Sequence, residues 1–394
     1  MSDPWLSIIG IGENGLNGLP RASLDALASA EVVFGGPRHL ALAGVDAGRA
    51  REWAVPFSTA PLLVLRGQRV AVLASGDPFW FGAGGSLARD LSPGEWRAFP
   101  GVSTFSLVAA RLGWRLETTV CAGLHAAPFA SVRVSLQAGQ RLIALVADAN
   151  AARGFAGYVT TLGFGGSQFW LAEAMGGPAE RLREFQAQAA LPDDIIAPVA
   201  VAVELAGGLG LPRSSGLGDE LFAHDGQITK RPIRALALSA LAPRPGQRLW
   251  DIGGGSGSVS VEWCLAGGVA STIEARADRA AQIAENAASF GMTPALTVIQ
   301  GNAPDALEGL PKPDAVFVGG GGSDVLLVSL WARIPKGCRL VAHAVTLETE
   351  SLLLDWQARV GGDLMKVEIA HAAPLGRMRG WVPSRPMLQW GVVR

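Results

Sequence analysis

The octapeptide Asp251-Ile-Gly-Gly-Gly-Ser-Gly-Ser narrows the folds open to this 394-residue chain more than any other segment. It closes the apolar run Arg248 to Ile252 and opens a helix predicted from Val259 to Ala266. Glycine permits the tight turn and lets backbone approach a ligand with no Cβ in the way. The helix start behind it offers unpaired N–H groups to an anionic group. Glu274 ends the next apolar run, 274 − 251 = 23 residues on, where a carboxylate can accept hydrogen bonds from both ribose hydroxyls. Strand, turn, helix and spaced acid together predict a nucleoside-binding α/β unit. The spacing is D-x-G-x-G-x-G, not the dinucleotide pattern G-x-G-x-x-G. It favours a ligand with no pyrophosphate, such as S-adenosylmethionine, over the rival reading, an NAD-dependent oxidoreductase of the Rossmann kind.

The rest of the chain alternates in the same way. Strands are predicted at Trp5 to Ile9, Val70 to Ala74, Leu142 to Ala147 and Ile195 to Val203, then at Arg248 to Ile252, Ala270 to Glu274, Leu296 to Gln300, Ala315 to Val318 and Arg339 to Ala342. Helical stretches between them predict parallel sheets covered by helices. The segment Ala206 to Gly218 holds five glycines and a proline in thirteen residues, which breaks both periodicities. It sets an expected boundary near residue 210, with domains 1–209 and 210–394. The halves do not align with each other, so they read as two different α/β units.

Composition removes several function classes. Lys+Arg is 33 and Asp+Glu 34, a balance unlike that of a protein built to bind nucleic acid. Cys121, Cys264 and Cys338 are scattered and form no CxxC pair, so neither a disulfide framework nor a thiol metal site is expected. Residues 1–20 do not pattern as a signal peptide, and no apolar stretch reaches the ~18 residues of a membrane span. A cytoplasmic enzyme with no metal is the expectation.

Five segments of the second half, GQITKRPIRALALSAL, LWDIGGGSGSVSVEW, GNAPDAL, DAVFVGGGG and VAHAVTLET, occur in order from Gly226 to Thr349. They resemble the class I, Rossmann-like half of the decarboxylating precorrin methyltransferases of cobalamin biosynthesis. The resemblance implies that Thr229, Asp251, Gly253, Gly254, Gly255, Ser256, Gly257, Ser258, Glu274, Asn302 and Ala303 line an S-adenosylmethionine site. Relatives often carry Asp at the place of Asn302 and Asn at that of His343. Asp251 also reads as a helix N-cap, Gly319 to Gly322 as a plain loop, and His343 as a core histidine.

The first half carries GIGENGL, VVFGGPRHL, VAVLASGDPFWFG, FPGVSTFSLVAARLG and WLAEAMGGPAERL, over about residues 5–205. This set resembles the tetrapyrrole methylase family, class III methyltransferases with two α/β lobes and a cleft. It implies that Glu13, Ser75, Gly76, Asp77, Ser103 and Thr104 hold a second S-adenosylmethionine, and that the loop of Gly12 and Glu13 faces the cleft and substrate. His125 stands where relatives show a histidine in a different local sequence. Asp77 also reads as a turn residue before Pro78, and Glu173 as a solvated strand end.

Together the resemblances imply a bifunctional enzyme with one cofactor per domain. The first domain would methylate C-5 of reduced precorrin-6; the second would methylate C-15 and remove the ring-C acetate carboxyl, giving precorrin-8. Another tetrapyrrole position is the alternative. The substrate's acetate and propionate groups call for arginine forks and ammonium groups. Lys230, Arg231, Arg377, Arg379 and Arg385 are the candidates, with Gly12, His125 and His343 as further substrate contacts. A homo-oligomer with no membrane partner is expected.

Overall fold

Apolar runs too continuous for a half-exposed strand become the centre of each sheet. The computed structural model describes residues 4–394. It divides into two compact units, one running to Phe129 and taking in Ser135–Gly210, the other formed by Ala130–Val134 with Leu211–Arg394.

In the first unit, β1 (Leu6–Ile11), β2 (Val32–Gly35), β3 (Ala50–Glu52), β4 (Val70–Ser75) and β5 (Trp96–Phe99) form a parallel sheet of order β3-β2-β4-β1-β5. Its side chains alternate between two cores. Ile9, Ile11, Val33, Ala71 and Leu73 face one, while Leu6, Ile8, Phe34, Val70 and Val72 face the other. Burial on both faces is what such unbroken apolar sequences require. A second sheet of this unit contains β6 (Thr119–Gly123), β7 (Arg141–Leu145), β8 (Gln168–Glu173), β9 (Arg181–Gln186) and β10 (Val199–Glu204), in the order β6-β7-β10-β8-β9. Only its β6–β7 pair is parallel. The expectation of parallel sheets throughout fails here: β8 and β9, for one, are joined by residues 174–180 alone, too few for the crossover that parallel neighbours need. The predicted strand Ile195 to Val203 starts only at Val199, beyond Pro198, which has no N–H for a ladder.

In the second unit, β11 (Arg248–Ile252), β12 (Val269–Glu274), β13 (Leu296–Gln300), β14 (Ala315–Val318), β15 (Arg339–Ala344), β16 (Asp363–Val367) and β19 (Met387–Val393) form a sheet of order β13-β12-β11-β14-β15-β19-β16. The first five are parallel, and β19 runs antiparallel to both neighbours. Leu249, Phe317 and Val341 pack on the helices Arg231–Leu241, Ser258–Leu265 and Ala277–Ser289. Trp250, Val318 and Leu340 pack on Asp324–Arg333 and Leu347–Val360. A separate exposed hairpin joins β17 (Ala370–Leu375) to β18 (Met378–Pro383). Among the described residues, no helix is long and apolar enough to cross a membrane.

Candidate functional site

Each unit carries a cleft where its parallel strands end at their carboxyl termini, the place where open α/β sheets bind ligands.

The cleft of the second unit measures ≈ 1030 Å³. Its floor is the glycine turn after β11. Gly253 has φ +71, and a Cβ there would lie 2.8 Å from the Gly320 carbonyl oxygen. A Cβ on Gly254 would lie 2.3 Å from Thr272 Cγ2. Side chains at these positions would push the loop into the cleft. Glu274 holds the turn open from the next strand: its carboxylate accepts from the Gly255 amide at 2.9 Å and the Arg276 amide at 3.0 Å. Asn286, on the helix Ala277–Ser289, reaches the back of the same turn. Its Nδ2 donates to the Ser256 carbonyl at 2.8 Å and the Ala223 carbonyl at 2.9 Å, and its Oδ1 accepts from the Ala223 amide at 2.8 Å. Ser256 keeps a buried hydroxyl with no hydrogen-bond partner.

Thr229, Lys230, Gly253, Gly254, Gly255, Ser256, Glu274, Asn302, Ala303 and His343 all line this cleft. Asp251, Gly257 and Ser258 do not. Gly257, with φ +72, is the residue that caps the helix Ser258–Leu265, and Ser258 is buried at its start. Asp251 lies beneath the turn, where it accepts from Ser260 Oγ at 2.6 Å; burial pushes its carboxyl up to about 6. It is therefore not the helix N-cap. His343 Nε2 is 2.9 Å from Gln389 Oε1, and its ring meets Phe317 edge-on. Burial lowers the imidazole to about 4, so it is neutral at pH 7. Arg377 and Arg379 sit exposed on the β17–β18 hairpin, outside the cleft lining, whereas Arg231 and Arg385 belong to it. The position of the hairpin depends on pairing across β19, which motif spacing does not encode.

A buried ionic network sets the opposite wall. Arg234 is 0% exposed. Its Nε donates to Glu262 at 2.6 Å and its Nη1 to Asp219 at 3.0 Å; it also donates to the Leu217 and Thr229 carbonyls. Glu262 also accepts from the Gly216 and Leu217 amides at 2.6 and 2.9 Å. The chain leading to Thr229 and Lys230 is thereby fixed from inside the unit. Arg279, paired with Asp225 at 2.9 Å, adds a cation to the rim. Sequence reading missed Arg234 and Arg279, because an arginine within an apolar helix or on a charged one has no spacing that sets it apart.

The cleft of the first unit measures ≈ 450 Å³. Three loops meet there backbone to backbone. The Gly101 amide donates to the Gly76 carbonyl at 3.0 Å, and the Gly76 amide to the Ile11 carbonyl at 3.0 Å. A Cβ on Gly10 would lie 1.8 Å from the Gly76 carbonyl oxygen. Gly12, Glu13, Ser75, Gly76, Asp77, Ser103, Thr104 and His125 all line this cleft. Ser103 also caps the helix Thr104–Leu112, accepting from the Ser106 amide at 3.1 Å. Asp77 accepts from the Phe79 amide at 2.8 Å, the turn role also read for it.

The structure adds Arg38 and His39, from the short helix Pro37–Leu42. Arg38 pairs with Glu13 and donates to Ser75 Oγ at 2.9 Å. His39 Nε2 lies 2.8 Å from the same oxygen. Burial, then the neighbouring guanidinium, lower the imidazole to about 4. Both residues belong to the segment VVFGGPRHL, so the signal was present without a role attached. Glu173 is no solvated strand end: it is 0% exposed and bound by Arg181 at 2.7 Å and Arg183 at 2.9 Å. Cations from the next strand drew it inward, a pairing that depends on strand register.

Two family models match the chain: Tetrapyrrole (Corrin/Porphyrin) Methylases over residues 6–190, and Precorrin methyltransferase domain over residues 220–394. A Precorrin-6Y C(5,15)-methyltransferase [decarboxylating] from Sinorhizobium sp is 47% identical over 397 residues, covering 98% of this chain and 96% of its own. The protein of that name from Mycobacterium tuberculosis is 39% identical, covering 98% and 99%. The solved C-terminal domain of precorrin-6Y C5,15-methyltransferase from Rhodobacter capsulatus is 59% identical, with a TM-score of 0.46, covering 47% of this chain and 100% of that one.

Proposed function

The chain belongs to the decarboxylating precorrin-6Y C(5,15)-methyltransferase family, and from that footing we propose a division of labour in which each unit carries one methyl transfer. The first unit methylates C-5 of reduced precorrin-6. The second methylates C-15 and removes the ring-C acetate carboxyl. The observation that supports this reading is a pair of unlike glycine-floored clefts, one in each separately matched unit.

The residues suit S-adenosylmethionine in both. In the second unit, the cradle that a Cβ would fill at Gly253 and Gly254, the Glu274 carboxylate and the unpartnered Ser256 hydroxyl fit a nucleoside with a charged tail. Thr229, Gly255, Asn302 and Ala303 would complete that site. Glu13, Ser75, Gly76, Asp77, Ser103 and Thr104 would hold the cofactor of the first unit. When bound, the cofactor supplies a methyl group already activated on a sulfonium. The chain's task is then to hold nucleophile and methyl in line at near-attack distance. Arg231, Arg279 and Arg385, with Lys230, are placed to grip substrate carboxylates beside the larger cleft. The neutral His343 supplies a polar wall without adding charge.

Two cofactors per chain, self-association and a cytoplasmic site of action belong to the same reading. The free thiols of Cys121, Cys264 and Cys338 suit a reducing compartment. Mass spectrometry after incubation with reduced precorrin-6 and S-adenosylmethionine tests the activity: two methyl groups gained and one carboxyl lost. Calorimetry with S-adenosylhomocysteine tests the stoichiometry, and light scattering the oligomer. A single binding site per chain overturns the division of labour.

A further inference from the structure

The hydrogen bonds around Ser75 run in one direction. A guanidinium only donates. Arg38 Nη2 lies 2.9 Å from Ser75 Oγ and 3.0 Å from His39 Nε2, so both atoms accept from it and His39 Nε2 carries no proton. Ser75 Oγ is 2.8 Å from that nitrogen, and of the two only the hydroxyl has a hydrogen to give. The chain therefore starts at a guanidinium held by Glu13, passes through a hydroxyl and ends on a ring lone pair. All four residues line the cleft, and Ser75 is exposed to it. A hydroxyl oxygen has two lone pairs, so one remains for a group in the cleft.

We propose that Ser75 and His39 form the proton-accepting relay of the methyl transfer in the first unit, an inference that rests on reading this unit as the C-5 methyltransferase. The substrate's meso carbon uses its enamine π pair to form the new C–C bond, while the sulfur–methyl bond breaks and leaves its pair on sulfur. The tetrapyrrole is then a cation whose C-5 bears both the methyl group and its original hydrogen. Loss of that hydrogen as a proton returns the C–H pair to the conjugated system. The proton arrives at Ser75 Oγ as the hydroxyl's own proton passes to His39 Nε2. A C–H bond beside a delocalised cation is acidic, so a weak base suffices. The imidazolium that forms would face Arg38, whose own charge is already paired with the Glu13 carboxylate. Asp77 and His125 are the other titratable groups lining the cleft. The Asp77 carboxylate is engaged by the Phe79 amide.

Three measurements on the full chain test the relay. The first is nitrogen-15 NMR of the histidines, of which there are five, without cofactor or substrate. One ring is expected in the Nδ1–H form with an unprotonated Nε2, its signals absent from His39→Gln. A protonated Nε2 at His39 overturns the proposal. The second is C-5 methylation by His39→Gln and Ser75→Ala, each first shown to bind S-adenosylhomocysteine. The turnover number should fall on the order of 10²- to 10⁴-fold, with KM changed far less. The third uses substrate deuterated at C-5. Each variant should show a kinetic isotope effect larger than the wild type, because proton removal becomes limiting. A loss under tenfold in both variants, or no added isotope effect, overturns the relay. Gly10→Ala, which breaks the glycine contact of the same cleft, separates the two levels. If it leaves C-5 methylation intact, the assignment of C-5 to this unit fails and the relay with it. If it abolishes C-5 methylation while His39→Gln does not, the relay alone fails.

Discussion

Replacing Arg234 by Met removes the centre of the buried network in the second unit while keeping most of the side chain's volume. The guanidinium is fully buried; Glu262 beside it is 4% exposed and Asp219 26%. The substitution deletes the Glu262 ion pair and strips a donor from the Leu217 and Thr229 carbonyls. Removing one partner of a buried pair costs about 3–5 kcal/mol. The lower end applies to Glu262, which keeps the Gly216 and Leu217 amides. Two carbonyls left without a donor add about 1 kcal/mol each. The sum is about 5 kcal/mol. At ~2–4 °C per kcal/mol for a unit of this size, the second unit's transition should fall by roughly 10–20 °C. Scanning calorimetry of the full chain reads this directly, with S-adenosylhomocysteine titration reporting the cleft. Adding Glu262→Gln to Arg234→Met removes the stranded charge and should recover at least ~1 kcal/mol, because the two sites couple. A loss below ~1 kcal/mol, or a double variant equal to the sum of its singles, would refute the idea that this pair holds the cleft wall.

Three further outcomes follow from the same geometry. Burial raises the Asp251 carboxyl to about 6 in the folded state, against ~3.9 for an ordinary aspartate. The folded state thus binds more protons between those values, and this group's contribution to stability falls as pH rises through the window. Asp251→Asn should therefore stabilise the second unit at pH 8 relative to wild type, by up to about 3 kcal/mol, with no gain at pH 3.5; denaturant unfolding at both pH values checks it. Gly254→Val should lower S-adenosylhomocysteine stoichiometry from two to one because its side chain clashes with Thr272 and displaces the turn, and Gly10→Ala should remove the other site. Arg385→Ala should raise KM for the tetrapyrrole roughly tenfold, the weight of one charge-assisted contact, as read by initial rates.

Most of the scaffold around the larger cleft is legible in the sequence because each feature is local. An apolar run, a glycine turn and an acid one strand later occupy fixed offsets, and Gly253 to Ser256 and Glu274 fall where those offsets put them. Asp251 shows the limit of such spacing: it sits at the strand end, yet its carboxylate turns under the loop to Ser260. What was not legible depends on groups distant in sequence. Glu173 is buried because Arg181 and Arg183 arrive on the paired strand, and Ser75 gains its partners from a helix 36 residues earlier. The exposed hairpin that carries Arg377 and Arg379 away from the cleft depends on a sheet edge built from β19 and β16.

Asn286 makes a mechanical joint of two surfaces that motifs describe separately. One carboxamide grips the Ser256 carbonyl in the glycine turn and both polar backbone atoms of Ala223 in the irregular segment leading to Gln227 and Thr229. A ligand that shifted the glycine turn would pull through this side chain on the backbone six residues upstream of Thr229, and one that pressed on that approach would pull on the turn. Linkage makes this traffic equal in both directions: whatever factor one ligand adds to the other's affinity is returned in full.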